Sequence, residues 1–124
     1  MTTRDPLTHE IIGAAIQVSK KAKIGLLESV YQKCFVHELG KRGLSVEVQP
    51  TLPVVYDGIY MEQGFRPDLI VQREVIVEVK AVKATTPAHD AQLINYMQLS
   101  GISKGLLFNF HAFPFTEGIK RFVL

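Results

Sequence analysis

Asp68, Glu78 and Lys80 are the residues whose types and spacing can do chemistry. They belong to one stretch, Pro-Asp-Leu-Ile-Val-Gln-Arg-Glu-Val-Ile-Val-Glu-Val-Lys, from Pro67 to Lys80. Alternate residues of a strand share a face. Ile76, Glu78 and Lys80 therefore lie on one face of a strand from Val75 to Ala81, and Val75, Val77, Val79 and Ala81 on the other, which is wholly apolar. An acid and a base stand side by side in a strand that otherwise reads as buried, and burying charge is costly without a partner or a metal. A hairpin with the loop Gln72-Arg73-Glu74 sets Val71 against Val75, Leu69 against Val77 and Asp68 against Glu78. The apolar residues then share one face and the two carboxylates meet on the other, with Cβ atoms about 5 Å apart. A two-residue loop would send the carboxylates to opposite faces. Two like charges so close call for a cation between them, and hard oxygen ligands suit magnesium or manganese. Lys80, one strand step beyond, can orient a water or stabilise charge developing on a phosphate. The set makes chemical sense for hydrolysis of a phosphodiester. The bland alternative is a solvated sheet face on which the acids pair with Lys80 and Arg66.

The elements that position this set are short. Thr8 predicts a helix cap, with a helix from His9 to about Lys21 and Ile12, Ala15, Ile16 and Ser19 on one side. Gly25 breaks it. A second helix runs from Leu26 to about Lys41, with Leu27, Val30, Tyr31, Cys34, Phe35 and Leu39 as its buried stripe. Strands follow at Leu44–Gln49 and Leu52–Tyr56, then an Asp57-Gly58 turn. After the hairpin, Thr86-Pro87 opens a third helix that ends at Gly101. Gly105–Phe110 reads as an inner strand, and the Ile119–Leu124 segment as a last one. The strand–helix–strand unit at the end predicts one parallel pairing in an otherwise antiparallel sheet.

Bulk properties agree with one domain spanning residues 1–124. The chain is 47% hydrophobic and 21% charged, enough apolar surface for a real core. Its formal charge of +2 permits a nucleic-acid partner without arguing for one. The one cysteine, Cys34, excludes an internal disulfide and reads as a small packing residue in a reducing cytoplasm. The start, MTTRDPLTHE, has no apolar signal core, and no apolar run reaches membrane-span length, so a soluble cytoplasmic protein is expected. His37, His89 and His111 show no zinc spacing. Of the three, only His89, two residues into the third helix, is a candidate for a site role.

Several ordered motifs carry a resemblance. Pro67-Asp68 followed by Glu78-Val79-Lys80 resembles the PD-(D/E)XK nuclease superfamily. Gly25-Leu26-Leu27-Glu28-Ser29-Val30-Tyr31 is similar to the signature of the GxxExxY proteins, a branch of it, and Gln49, LPVVYDG, RPDLIV, AQLINYM and GLLFNF fit the flanks. The likeness runs from about Leu7 to Phe110. It implies a mixed α/β fold of restriction-endonuclease-like type, with an αβββαβ core around a mixed sheet. It implies a metal-dependent nuclease, endo- or exo-acting, with nucleic acid as partner and DNA expected ahead of RNA. Asp68 and Glu78 would hold Mg2+ or Mn2+, with the Val79 carbonyl as a further ligand. Lys80 would be the catalytic lysine, and Glu28 an additional acid. Gln92 and Tyr96, four apart on one helical face, would look onto the site. Tyr31 is a core residue by its stripe and a site-lining one by the motif. So small a domain engages a duplex poorly alone, so a homodimer or partner protein is expected. The alternative is a non-catalytic nuclease-like module that binds nucleic acid or protein.

Overall fold

The computed structural model describes residues 5–124, so part of the stretch read for a signal core lies outside the described residues. Helix α1 (Pro6–Lys21) begins earlier than expected. Asp5, not Thr8, is its cap: the Asp5 carboxylate accepts from Leu7 N at 3.1 Å, and Pro6 supplies a first helical residue that needs no N–H partner. Thr8 is buried inside the helix, where its hydroxyl accepts from Arg121 at 3.0 Å. The buried stripe is Ile11, Ala14, Ala15 and Val18. Two stripes of α1 are apolar at helical spacing, and packing against the sheet selects the one with the small alanines, which lets the helix approach closely.

Helix α2 (Glu28–Lys41) starts two residues later than expected. Leu27 caps it and is 73% exposed, and Val30 is also largely exposed, so neither belongs to the buried stripe. Tyr31, Phe35 and Leu39 do bury, and Cys34 packs at the core's edge. Glu38 joins the buried residues, held by Lys21 at 3.1 Å and Lys41 at 3.4 Å.

Five strands make the central sheet in the order β1 (Val46–Val48), β4 (Leu69–Val71), β5 (Val75–Lys80), β6 (Lys104–Asn109) and β7 (Ile119–Val123). All neighbours are antiparallel except β5 and β6, the parallel pair joined through helix α3 (Pro87–Ser100). This is a mixed sheet flanked by helices, the restriction-endonuclease-like arrangement. Strands β2 (Leu52–Tyr56) and β3 (Ile59–Phe65) form a separate hairpin around Asp57-Gly58. Strand β3 is an addition to the expected elements. Tyr-Met-Glu-Gln-Gly has no clean alternation, and the strand is exposed along nearly its whole length. No helix among the described residues is long and apolar enough to cross a membrane.

The two faces of the sheet are unequal, and that inequality makes the site. One face is covered by α1 and α2 through Val71, Val75, Val77, Val79, Leu106 and Phe108. The other carries α3 through a smaller set, Ile70, Ile76, Leu93, Met97 and Leu107. Each fully buried aliphatic side chain contributes about 1.5–3 kcal/mol. Toward the C-terminal ends of β5 and β6 the apolar residues of the α3 face give out, and Glu78, Lys80 and Asn109 replace them. Helix α3 can lie this close because position 105 is glycine. A methyl there would sit 2.5 Å from Met97 Sδ and 3.2 Å from Leu93. Gly105→Ala should therefore destabilise the protein by about 1–3 kcal/mol, read as a lower urea midpoint with an unchanged slope. An unchanged midpoint would mean that α3 does not pack on β6 as described.

Candidate active site

The hairpin that joins β4 to β5 has the three-residue loop that the apolar pattern requires. Val71 pairs with Val75 and Leu69 with Val77. Gln72 and Arg73 take left-handed backbone angles, with φ of 55° and 54°, and Glu74 N closes the turn on Val71 O at 3.0 Å. The Gln72 side chain accepts from Ser45 N at 2.6 Å, which ties the loop to the start of β1. This register brings Asp68 and Glu78 together on the α3 face.

The two carboxylates are built into the backbone. Glu78 Oε2 accepts from Asp68 N at 2.7 Å, and Asp68 Oδ2 accepts from Val79 N at 2.8 Å. Glu78 is 3% exposed. Neither acid is in an ion pair with Lys80 or Arg66, and Glu78 is out of solvent, unlike an acid on a solvated sheet face. Burial and then the Asp68 charge push the Glu78 carboxyl up to about 7. Burial likewise raises Asp68, against the pull of its Val79 hydrogen bond and of Lys80.

These shifts fix a pH dependence for the metal-free protein. Folded Glu78 holds its proton up to about 7 and the unfolded residue loses it near 4.5. Between those values the native state binds more protons, so stability falls as pH rises through the window and levels off above it. Asp68 acts in the same direction. Unfolding in EDTA should lose on the order of 3 kcal/mol from pH 4.5 to pH 8 through Glu78. A profile that is flat, or that rises over that range, contradicts a buried Glu78 carboxyl beside Asp68.

Lys80 lies on the same face, two residues beyond Glu78 and beside Asn109 on β6. Asn109 is a residue that sequence reasoning passes over. It is buried, and its amide bonds both Val82 N, at 3.1 Å, and Val82 O, at 2.9 Å. It thus fixes the segment immediately after Lys80. A lone asparagine in the apolar run Gly-Leu-Leu-Phe-Asn-Phe is the available signal. The Lys80 carbonyl accepts from Phe110 N at 2.9 Å, so both sides of the residue are held.

Glu28 is the first residue of α2, exposed, and its charge helps raise both Asp68 and Glu78. It is a neighbour of the pair rather than a contact. Its loop is tightly held. Gly25 has φ of 98°, which suits glycine. The Tyr31 hydroxyl donates to Lys23 O at 2.5 Å and accepts from Leu26 N at 3.3 Å, and His111 Nε2 meets Leu26 O at 2.9 Å. Tyr31 is 1% exposed and stacks on Phe110. It is therefore a core residue that presents Glu28, and it does not line the site itself. On α3, Tyr96 is raised by burial and then by the charges of Glu78 and Asp68, and a hydrogen bond from Gln92 opposes this. Tyr96 thus feels the charges of both acids, and Gln92, one turn before it on the same helical face, is exposed. His89 serves the helix end instead, since its Nδ1 accepts from Thr86 N at 3.0 Å and caps α3.

Among the described residues no group of three His, Cys, Asp or Glu side chains is placed to hold a metal. The donor set nevertheless fits magnesium, which binds through one or two carboxylates and leaves its remaining positions to water or substrate phosphates. Backbone N–H groups bind Glu78 Oε2 and Asp68 Oδ2, so Asp68 Oδ1 and Glu78 Oε1 would be the oxygens to hold a cation.

A mixed sheet with two helices on one face and one on the other, and an Asp, a Glu-x-Lys and a helical glutamate at its open end, defines a nuclease-type domain. The chain belongs to the PD-(D/E)XK nuclease superfamily, whose family model matches residues 5–122. No curated protein and no solved structure matches the chain.

Proposed function

We propose that this protein is a magnesium- or manganese-dependent nuclease that hydrolyses phosphodiester bonds, with DNA ahead of RNA as substrate. The observation that carries the reading is the pair of half-buried Asp68 and buried Glu78 on otherwise apolar strands, each with one oxygen tied to backbone N–H. A pair that repels in the free protein is a pair held ready for a cation. Gly25, Glu28 and Tyr31 further support the GxxExxY branch of the superfamily, since here they act together as turn, acid and loop clamp.

Each residue then has a role. Asp68 and Glu78, once deprotonated, would hold the metal, with the Val79 carbonyl as a further donor. When bound, such a metal would supply positive charge beside the scissile phosphate and make nearby water more acidic. Lys80 orients the attacking water or neutralises charge that develops on the phosphate. Glu28 holds a water near the pair, and Gln92 orients Lys80 or a phosphate oxygen. Tyr96 closes the site on the α3 side.

The test is incubation with labelled single- and double-stranded DNA and RNA in Mg2+ or Mn2+, with EDTA as control. Metal-dependent cleavage of at least one substrate is expected. Binding without cleavage of any of the four in either metal would instead support a non-catalytic module.

A further inference from the structure

Glu28 follows a loop that packing alone does not hold. Residues 23–28 are all exposed, and a Cβ placed on Gly25 would meet nothing within 4 Å. An irregular segment with no buried side chain opens easily. Hydrogen bonds hold this one. Two are local to α2, where the Tyr31 hydroxyl donates to Lys23 O and accepts from Leu26 N at 3.3 Å. Among the described residues, one hydrogen bond ties the loop to the end of the central sheet. His111 Nε2 donates to Leu26 O at 2.9 Å, across 85 residues of chain. A carbonyl only accepts, so Nε2 carries the proton.

His111 is itself fixed on its other side. Its backbone N–H donates to Asn109 Oδ1 at 3.2 Å, and its ring meets the Tyr31 ring edge to face at 5.7 Å. Asn109 Oδ1 also accepts from Val82 N at 3.1 Å, and Asn109 Nδ2 donates to Val82 O at 2.9 Å. Phe110, between Asn109 and His111, donates its N–H to the Lys80 carbonyl at 2.9 Å. These bonds form one chain, from Lys80 and Val82 through Asn109 and His111 to Leu26, two residues before Glu28. Asn109 is 4% exposed, so the chain is anchored out of solvent.

We infer that His111 is a positioning residue, which sets Glu28 against the Asp68–Glu78 pair by holding the Leu26 carbonyl, with Asn109 as the fixed point it shares with the Lys80 segment. Glu28 and Lys80 then keep a constant separation across the site. His111 acts in this role through Leu26 and Glu28, not on the substrate. Placement of this kind has large consequences, because a displacement of about 1 Å can cost about a hundredfold in rate. The catalytic consequence rests on the nuclease reading, and the experiment separates the two.

The test has two readouts on the full chain. Amide hydrogen exchange in the metal-free protein needs no activity. His111→Ala should speed exchange at Leu26 by about tenfold or more and leave Val77 and Phe108, buried in the sheet, unchanged. His111→Gln, whose amide can donate to Leu26 O, should restore the protection. Unchanged exchange at Leu26 in His111→Ala overturns the inference, whether or not the protein cuts nucleic acid. The second readout is single-turnover cleavage of an oligonucleotide in Mn2+, run as a double-mutant cycle with Glu28→Gln. His111→Ala should slow cleavage about 10–100-fold with oligonucleotide and Mn2+ affinity unchanged, and His111→Gln should recover most of the rate. In the Glu28→Gln background His111→Ala should cost less than about twofold, since the group it positions is already gone. A loss of equal size in both backgrounds, or a loosened loop with wild-type cleavage, overturns the positioning of Glu28 and leaves the nuclease reading intact. If the wild type cuts no nucleic acid, the nuclease reading falls, and exchange at Leu26 alone decides whether His111 holds the loop.

Discussion

Lys80→Ala should reduce metal-dependent cleavage by at least about a hundredfold while the fold, the metal affinity and the binding of nucleic acid persist. The size of the effect follows from what the ammonium does. Charge that develops on a phosphate in a partly dry site is stabilised far more by a fixed cation than by water, and removing one such group costs about 10²–10³ in rate. Survival of the fold follows from position. Lys80 is the last residue of β5, only half-buried, and in no ion pair. Its backbone carbonyl, which anchors Phe110, is untouched by the substitution. Circular dichroism, Mn2+ titration and single-turnover cleavage on one preparation check the three parts together. A variant that cuts at the wild-type rate removes Lys80 from the chemistry, and one that unfolds shows its role to be structural.

Glu78→Gln should make the metal-free protein more stable and at the same time insensitive to metal. The glutamine keeps an oxygen to accept from Asp68 N, so the 2.7 Å bond has a replacement. It removes a buried negative charge and its repulsion with Asp68, the two causes that raise Glu78. At pH 8 in EDTA the melting temperature should rise by roughly 5–10 °C. In Mn2+ the wild type should gain stability by mass action, and the variant should not. Asp68→Asn should behave alike with a smaller gain, because Asp68 is only half-buried and the charges of Lys80 and Arg66 already favour its ionised form. A structural ion pair would give the opposite sign, since removing one partner of a buried pair leaves an uncompensated charge. Lower stability of Glu78→Gln in EDTA would therefore refute a site held ready for a cation.

The central hairpin is fully legible in the sequence, and for a specific reason. Six apolar residues that must share a face allow one register only, and that register fixes both the Gln72–Glu74 loop and the meeting of Asp68 with Glu78. The β5–α3–β6 crossover is legible because Thr86-Pro87 and Gly101 mark the ends of its helix. The helix faces are less so. Ile12 and Ile16 are as apolar as Ile11 and Val18, and only tertiary contact chooses between them. Leu27 and Val30 look like core because a leucine at a helix start reads the same whether or not anything covers it. β3 escapes a sequence reading because an exposed hairpin has no buried face to impose alternation. Asn109 and His111 act through backbone groups of Val82 and Leu26, 27 and 85 residues away in the chain, which no local pattern reveals. The clamp on the loop before Glu28 is visible only as the spacing of Gly25, Glu28 and Tyr31.

The proposed function stands or falls with a divalent cation held by Asp68 and Glu78. Anomalous diffraction from crystals grown with Mn2+ and a short oligonucleotide tests it most directly, because the oligonucleotide phosphates can complete the metal's coordination. The expected result is a manganese peak bonded to one oxygen of each carboxylate and to the Val79 carbonyl, and no such peak in crystals of Glu78→Gln. A wild-type map with no peak between the two acids, or with manganese bound elsewhere, would contradict it.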